Sequence, residues 1–164
     1  GERVCVDLTE RLSDGEGIFV GSSSSCLCLV HGETVPSQYV PSRPFRINAG
    51  AVHSYVMMAD GSTKYLSELS SGDQVAVYSG DGLAKIATIG RLKIERRPLL
   101  KVSMKSGSFT GNVILQQAET VRLVTSSGTA ISVTEINPGD EITVLNQKGM
   151  RHIGISVQGE ATEK

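Results

Sequence analysis

Apolar residues in this chain come in short runs, and the polar residues between them are turn formers. Val/Ile/Leu-rich runs at 4–6, 18–20, 27–30, 55–58, 75–78, 99–104, 121–124 and 142–145 are bounded by Gly, Ser, Asn and Asp. Such runs read as β-strands. No segment carries apolar residues at i, i+3, i+4 and i+7 over three turns, so the pattern predicts a mainly β chain.

The pattern also repeats. A shift of 67 residues lays Asp60-Gly61-Ser62 over Ser127-Gly128-Thr129 and runs on without a gap to Val77 over Val144. Gly61/Gly128, Glu68/Glu135, Gly72/Gly139, Asp73/Asp140, Val77/Val144, Gly82/Gly149 and Ile86/Ile153 are identical pairs. Self-similarity at a fixed period is the mark of a repeated structural unit. In each copy a tight turn should precede a strand. Pro138 presets φ for the second position of a type II turn and Gly139 supplies the positive φ of the third, with Ser71-Gly72 in the same place in the other copy. Compact β units of this size suggest, by analogy, tandem small SH3-like barrels. The expected segments are 1–52 (the end of a first unit plus a loop at 43–53), 53–116 and 117–164. Gly1-Glu2-Arg3-Val4-Cys5-Val6 resembles the Gly-Asp-x-Val-x-Val step of the other copies. A first unit would then enter halfway through, its earlier strands upstream, in one piece of a larger protein.

Composition narrows the function classes. Sixteen Lys+Arg against seventeen Asp+Glu leave a net charge of −1, no footprint for nucleic acid or an anionic membrane. No apolar run approaches the ~20 residues of a membrane span, and the first residues lack signal-peptide character. Cys5, Cys26 and Cys28 are too few for a disulfide scaffold and lack zinc-type partners, so buried thiols in a reducing, cytoplasmic setting are expected.

Candidate chemistry centres on Arg43-Pro44-Phe45-Arg46-Ile47-Asn48-Ala49-Gly50-Ala51-Val52-His53, read as a loop entering a strand at Tyr55. Arg43 and Arg46 can each grip a carboxylate or phosphate through the planar fork of the guanidinium. Gly50 would let the backbone approach a ligand, and His53 can shuttle a proton. A linker with solvated arginines fits the spacing equally well. Gly21-Ser22-Ser23-Ser24-Ser25 reads as a polar loop and Lys93-Ile94-Glu95-Arg96-Arg97 as a solvated charge run. His31 and Glu33 have the types of two ligands to a divalent metal. No Gly-x-Gly-x-x-Gly or Ser/His/Asp spacing is present, so neither a Rossmann fold nor a triad is indicated.

Several words in fixed order carry a resemblance: Arg3-Val4-Cys5-Val6-Asp7, Gly15-Glu16-Gly17-Ile18-Phe19-Val20-Gly21, Ser42-Arg43-Pro44-Phe45-Arg46-Ile47-Asn48, Tyr65-Leu66-Ser67-Glu68-Leu69, Gly90-Arg91-Leu92-Lys93-Ile94-Glu95-Arg96-Arg97-Pro98 and Gln117-Ala118-Glu119-Thr120-Val121-Arg122. Together the chain resembles the type II 3-dehydroquinate synthase family, from residue 1 to the closing Glu163-Lys164. Family proteins are longer at the N-terminus. The resemblance implies NAD-dependent oxidative deamination of an open-chain seven-carbon 2-amino-6-keto acid and aldol-type closure to 3-dehydroquinate, in aromatic-amino-acid biosynthesis (the shikimate pathway). A sister group makes an aminohydroxybenzoic acid with a divalent metal (Mn or Mg) and no net oxidation. Under this resemblance Arg43, Arg46, Asn48, Gly50 and Tyr55 become candidates to bind substrate, with His53, His31 and Glu119 as candidate acids and bases and Glu95 as an acidic partner. The missing N-terminal half is the expected partner, and NAD binds this chain or that half. The competing expectation is a β module that only scaffolds or binds a partner. Convergence of Arg43, Arg46, Asn48 and His53 on one surface, with His31 or Glu119 nearby, would favour the site.

Overall fold

A computed structural model describes residues 1–146 and 149–160. Among them the only helical element is a single 3-10 turn, Leu66–Glu68; fourteen strands make up the rest. They are β1 (Glu2–Leu8), β2 (Gly17–Ser23), β3 (Cys26–His31), β4 (Arg46–Ala51), β5 (Tyr55–Met57), β6 (Thr63–Tyr65), β7 (Gln74–Ser79), β8 (Gly82–Arg96), β9 (Leu99–Ser106), β10 (Phe109–Gln116), β11 (Arg122–Val124), β12 (Ala130–Ser132), β13 (Glu141–Asn146) and β14 (Gly149–Glu160). None of the described helical residues is long and apolar enough to cross a membrane.

Ten strands follow one antiparallel path, β10-β9-β14-β13-β3-β2-β7-β8-β1-β4, with β5–β6 and β11–β12 joined to its middle. β2 and β3 are central and buried on both faces, which is why 18–20 and 26–30 are continuously apolar. Alternation then divides their side chains between two cores. Ile18, Val20, Cys28 and Val30 point into the large one. Phe19, Leu27 and Leu29 join Val124 in a small one. The three thiols are free and buried; burial pushes Cys5 and Cys26 up to about 11 and raises Cys28 as well. They serve as small apolar side chains, as expected.

The sheet curls until the ends of its path meet. Asn48 on β4 donates to Gln116 on β10 at 2.8 Å, and a Cβ at Gly50 would stand 2.3 Å from the Ile114 carbonyl oxygen. This corrects the reading of 43–53 as a loop: residues 46–51 form a strand. Asn48-Ala49-Gly50-Ala51 has small residues because β10 lies against it, and Gly50, at φ 105° beside a register shift in β1, takes a conformation open to glycine. The room at Gly50 is filled by the protein's own backbone.

The predicted turns are in place. Gly72 and Gly139 have φ of 97° and 96°. Asp73 and Asp140 each donate their N–H three residues back, to the Ser70 and Asn137 carbonyls, at 3.1 Å. Strands β5, β6, β7 and β8 begin at 55, 63, 74 and 82, and β11, β12, β13 and β14 at 122, 130, 141 and 149. Strand pairing nevertheless runs across the expected segment boundaries, since β1 pairs with β8 and β3 with β13. β1 itself lies between β4 and β8, whereas β7 and β13 each pair with the next strand in the chain.

Close packing of β2 on β3 makes a sharp prediction. A Cβ at Gly17 would fall 1.9 Å from the Val30 carbonyl oxygen, while one at Gly61, with φ 85°, meets nothing within 4 Å. Gly17→Ala should therefore cost at least about 3 kcal/mol through displaced backbone. Gly61→Ala should cost only the ~1–2 kcal/mol of a left-handed residue. Urea unfolding of the two variants checks the order.

Candidate functional site

β1 alternates polar and apolar residues, and both of its faces are buried. Val4 and Val6 face the large core. Arg3, Cys5 and Asp7 face the other way, beside β4 and β8, where the register aligns Asp7 with Arg46 and Arg91, and Cys5 with Asn48 and Lys93. Arg3, Asp7 and Asn48 are nonetheless buried. Polar groups out of water need partners, and these have built a layer of them.

Asp7 sits between two guanidiniums. Arg46 donates through Nε at 2.8 Å and Nη2 at 3.1 Å, and Arg91 through Nε at 2.8 Å. Burial alone would push the Asp7 carboxyl up, but the hydrogen bonds from Arg46 and Arg91 outweigh it and hold the group below its ordinary value. Next to this pair, Gln116 Oε1 accepts from Arg3 Nη1 at 2.5 Å and from Asn48 Nδ2 at 2.8 Å. Arg3 also pairs with Glu95 at 2.7 Å. Two buried atoms of the layer have no protein partner, Arg3 Nε and Asn48 Oδ1.

Residues 32–45 leave β3 and return to β4 alongside this layer. Leu8 donates to the Phe45 carbonyl and Glu33 to the Arg46 carbonyl, both at 2.8 Å. Glu33 and Arg43 form an antiparallel bridge. Burial pushes the Glu33 carboxyl up, and it stays above its ordinary value although Arg46, Arg43, Arg3 and Arg122 all pull it down. By geometry Arg43 is the partner of Glu33 across the bridge and Arg46 its backbone hydrogen-bond partner.

The other candidates lie elsewhere or are committed. His31 is buried; its Nε2 accepts from the Gly15 N–H at 2.8 Å and its Nδ1 donates to the Gly32 carbonyl at 2.6 Å. Burial depresses its pKa, so the ring is neutral and structural. With that lone pair used, and Glu33 turned among arginines that would repel a cation, His31 and Glu33 do not suit a divalent metal. His53 is exposed beyond the far end of β4, a strand about 17 Å long at ~3.3 Å per residue. It lines a separate depression of about 440 Å³ with Ser22, Tyr55 and Tyr65. There the Tyr55 and Tyr65 hydroxyls stand 3.2 Å apart, rings 4.8 Å centre to centre. Glu119 is exposed between β10 and β11. Glu95 is held by Arg3 and Arg97.

The structure therefore gathers Arg43, Arg46 and Asn48 but not His53, His31 or Glu119. It adds Arg3, Asp7, Gln116 and Arg122, which the sequence did not single out for the site, and sets Glu33, a candidate metal ligand by residue type, beside Arg43 instead. The alternation Arg3-Val4-Cys5-Val6-Asp7 was the available signal, since a strand with an apolar core face and charges opposite announces a second, polar face.

Comparison with known proteins settles what kind of domain this is. Residues 1–164 match the family described as 3-dehydroquinate synthase II, C-terminal domain. The chain belongs to that family. It is 48% identical over 164 residues to the 3-dehydroquinate synthase of Methanoculleus marisnigri, covering all of this chain and 50% of the relative. The protein of the same name from Methanospirillum hungatei is 47% identical over 164 residues, with the same coverage. That from Nitrosopumilus maritimus is 47% identical over 161 residues, covering 98% of this chain and 46% of the relative. The chain spans about half the length of the curated relatives it matches. No solved structure matches it. Glu163-Lys164, where the likeness closes, lie outside the described residues.

The pairing of Asp7 sets a stability prediction for this 3-dehydroquinate synthase II domain. Asp7→Ala leaves Arg46, whose side chain is 15% exposed, without its counter-charge and should cost about 3 kcal/mol at pH 7. A carboxyl depressed in the folded state stabilises above its unfolded pKa of ~3.9, and that stability is lost as pH falls through the folded value. Unfolding by urea between pH 7 and pH 2 should show a steeper acid loss for the wild type than for Asp7→Ala. Parallel curves would remove Asp7 from this role.

Proposed function

We propose that this chain is the C-terminal part of an enzyme converting an open-chain seven-carbon 2-amino-6-keto acid to 3-dehydroquinate. The reaction is NAD-dependent oxidative deamination followed by intramolecular aldol closure, feeding aromatic-amino-acid biosynthesis by the shikimate route. The observation that carries the reading is the Arg43 fork, unpaired among the described residues, facing Glu33 across an antiparallel bridge beside the Arg46–Asp7 pair, in a chain whose net charge is only −1. A substrate carboxylate needs such a place, and guanidiniums half out of water hold an anion more firmly than solvated ones. The relatives' name, 3-dehydroquinate synthase, supports the same product.

Within this reading the chain binds and orients. Arg46 is locked by Asp7 and acts through its charge, while Arg43 offers an open fork. His53 and Tyr55 stand past the far end of β4, too far to meet the same end of the substrate as Arg46. The base that takes the proton, in turn, belongs to residues outside this chain or reaches the arginines from the rest of the protein. The described residues include no α-helix N-terminus of the kind that often holds a pyrophosphate, and within this proposal the hydride step is assigned to the remaining half. The finer architecture is part of the proposal. The common 67-residue offset of β5–β8 and β11–β14 supports two copies of an SH3-like unit, in 53–116 and 117–164, with 1–52 as the end of a first unit plus the segment that follows it.

The test is turnover by the whole protein as its gene encodes it. With the amino keto acid and NAD it should form 3-dehydroquinate by mass spectrometry, with one NADH and one ammonium per product. An aminohydroxybenzoic acid product without NADH would place the protein with the metal-dependent sister reaction. No product from folded whole protein would leave a binding or scaffolding module.

A further inference from the structure

Once the hydrogen bonds of the polar layer are assigned, two opposite charges are left over. Glu33 and Arg43 face each other across an isolated antiparallel bridge, with the Arg43 N–H donating to the Glu33 carbonyl at 2.8 Å. Directly opposed residues put their side chains on one face, Cβ atoms about 4.5–5.5 Å apart. Yet neither side chain makes a hydrogen bond or an ion pair among the described residues. Their neighbours are all engaged. Arg46 and Arg91 hold Asp7, and Arg3 holds Glu95 and Gln116. Arg122 donates to the carbonyls of Val35 and Thr120 at 3.3 and 3.4 Å. Both residues of the bridge are half-buried. In the layer they adjoin, Arg3 Nε and Asn48 Oδ1, on side chains of residues only 5% exposed, also lack partners.

Half-exposed charges that make no hydrogen bond to the protein keep their donors and acceptors free for a ligand. The sign of that ligand follows from the pair. A simple anion attracted by Arg43 would meet the Glu33 carboxylate beside it. A simple cation attracted by Glu33 would meet the Arg43 guanidinium across the bridge. A molecule carrying both charges on neighbouring atoms satisfies both. We propose that Glu33 and Arg43 form a head-group site for a 2-amino acid, the Arg43 fork taking its carboxylate and the Glu33 carboxylate its ammonium. The identity of that amino acid as the seven-carbon keto acid rests on the function proposed above; the zwitterion site does not. It gives Glu33 a binding role and makes Arg43, not Arg46, the direct contact to the substrate carboxylate. Binding both charges of the head group would fix the amino-bearing carbon in one orientation.

Calorimetric titration of the whole protein tests this with three probes: the amino keto acid, the same acid without its amino group, and the same amine without its carboxylate. The wild type should bind the first about tenfold or more tighter than either trimmed probe, the range of a hydrogen bond to a charged group. Glu33→Gln should weaken the amino acid by about tenfold and leave the acid without an amino group unchanged or tighter. Arg43→Gln should weaken both acids and spare the amine. Equal binding of the amino acid and its deaminated counterpart by the wild type would overturn the proposal without any variant, as would wild-type affinity in folded Glu33→Gln. Turnover in the same samples separates the two readings. Selective binding without product keeps the zwitterion site and removes the proposed reaction. Product without selectivity does the reverse.

Discussion

Burying the Asp7 carboxylate behind β1 requires two guanidiniums, and the polar half of the fold is arranged around that requirement. Arg46 can reach Asp7 with both nitrogens only if β4 pairs with β1 in the observed register. β4 can take that register against β10 only because it carries Gly50 where the Ile114 carbonyl comes close. Gln116 then closes the arrangement from β10, accepting from Arg3 and Asn48 at once. A carboxylate, a glycine and a glutamine from three distant stretches therefore depend on one another. Loss of a single partner leaves a buried charge, which costs more than the pair contributes.

The parts of this fold that follow local rules were legible in the sequence. Pro138-Gly139 and Ser71-Gly72 adopt the predicted turn because φ preferences act over two residues. The central strands were visible because burial on both faces leaves only apolar residues in 18–20 and 26–30. Strands β4, β8 and β10, with charged or glycine-rich faces, were missed, as were β6, β12 and β14. β8 runs through Lys93-Ile94-Glu95-Arg96 as a strand because alternate residues pair with the charges of β1, a partner 84 or more residues away in sequence. No window along the chain contains that information. Within the run Glu95 also pairs with Lys93 and Arg97.

The site was half legible for the same reason. Arg43, Arg46 and Asn48 share a short segment, so proximity in sequence carried over into space. The histidines did not follow. His31 is drawn into the structure by two backbone partners, and its lowered pKa is the consequence of burial. His53 lies past the end of the strand whose start carries Arg46, so the residue spacing that suggested a compact loop is stretched to strand length once 46–51 becomes β4. Treating a Gly-containing stretch as a loop compressed the distance between its ends, and with it created a site that the extended backbone pulls apart.

Net charge was the least informative quantity of all. A value of −1 excludes a long-range field, but a site is set by which charges remain unneutralised at one place. Around Glu33 the cations outnumber the anions, and Asp7 and Glu95 neutralise several of them. What survives is the difference between an engaged guanidinium and an open one. Arg46 and Arg43 are three residues apart and chemically identical, and only their partners separate a structural cation from one available to a ligand.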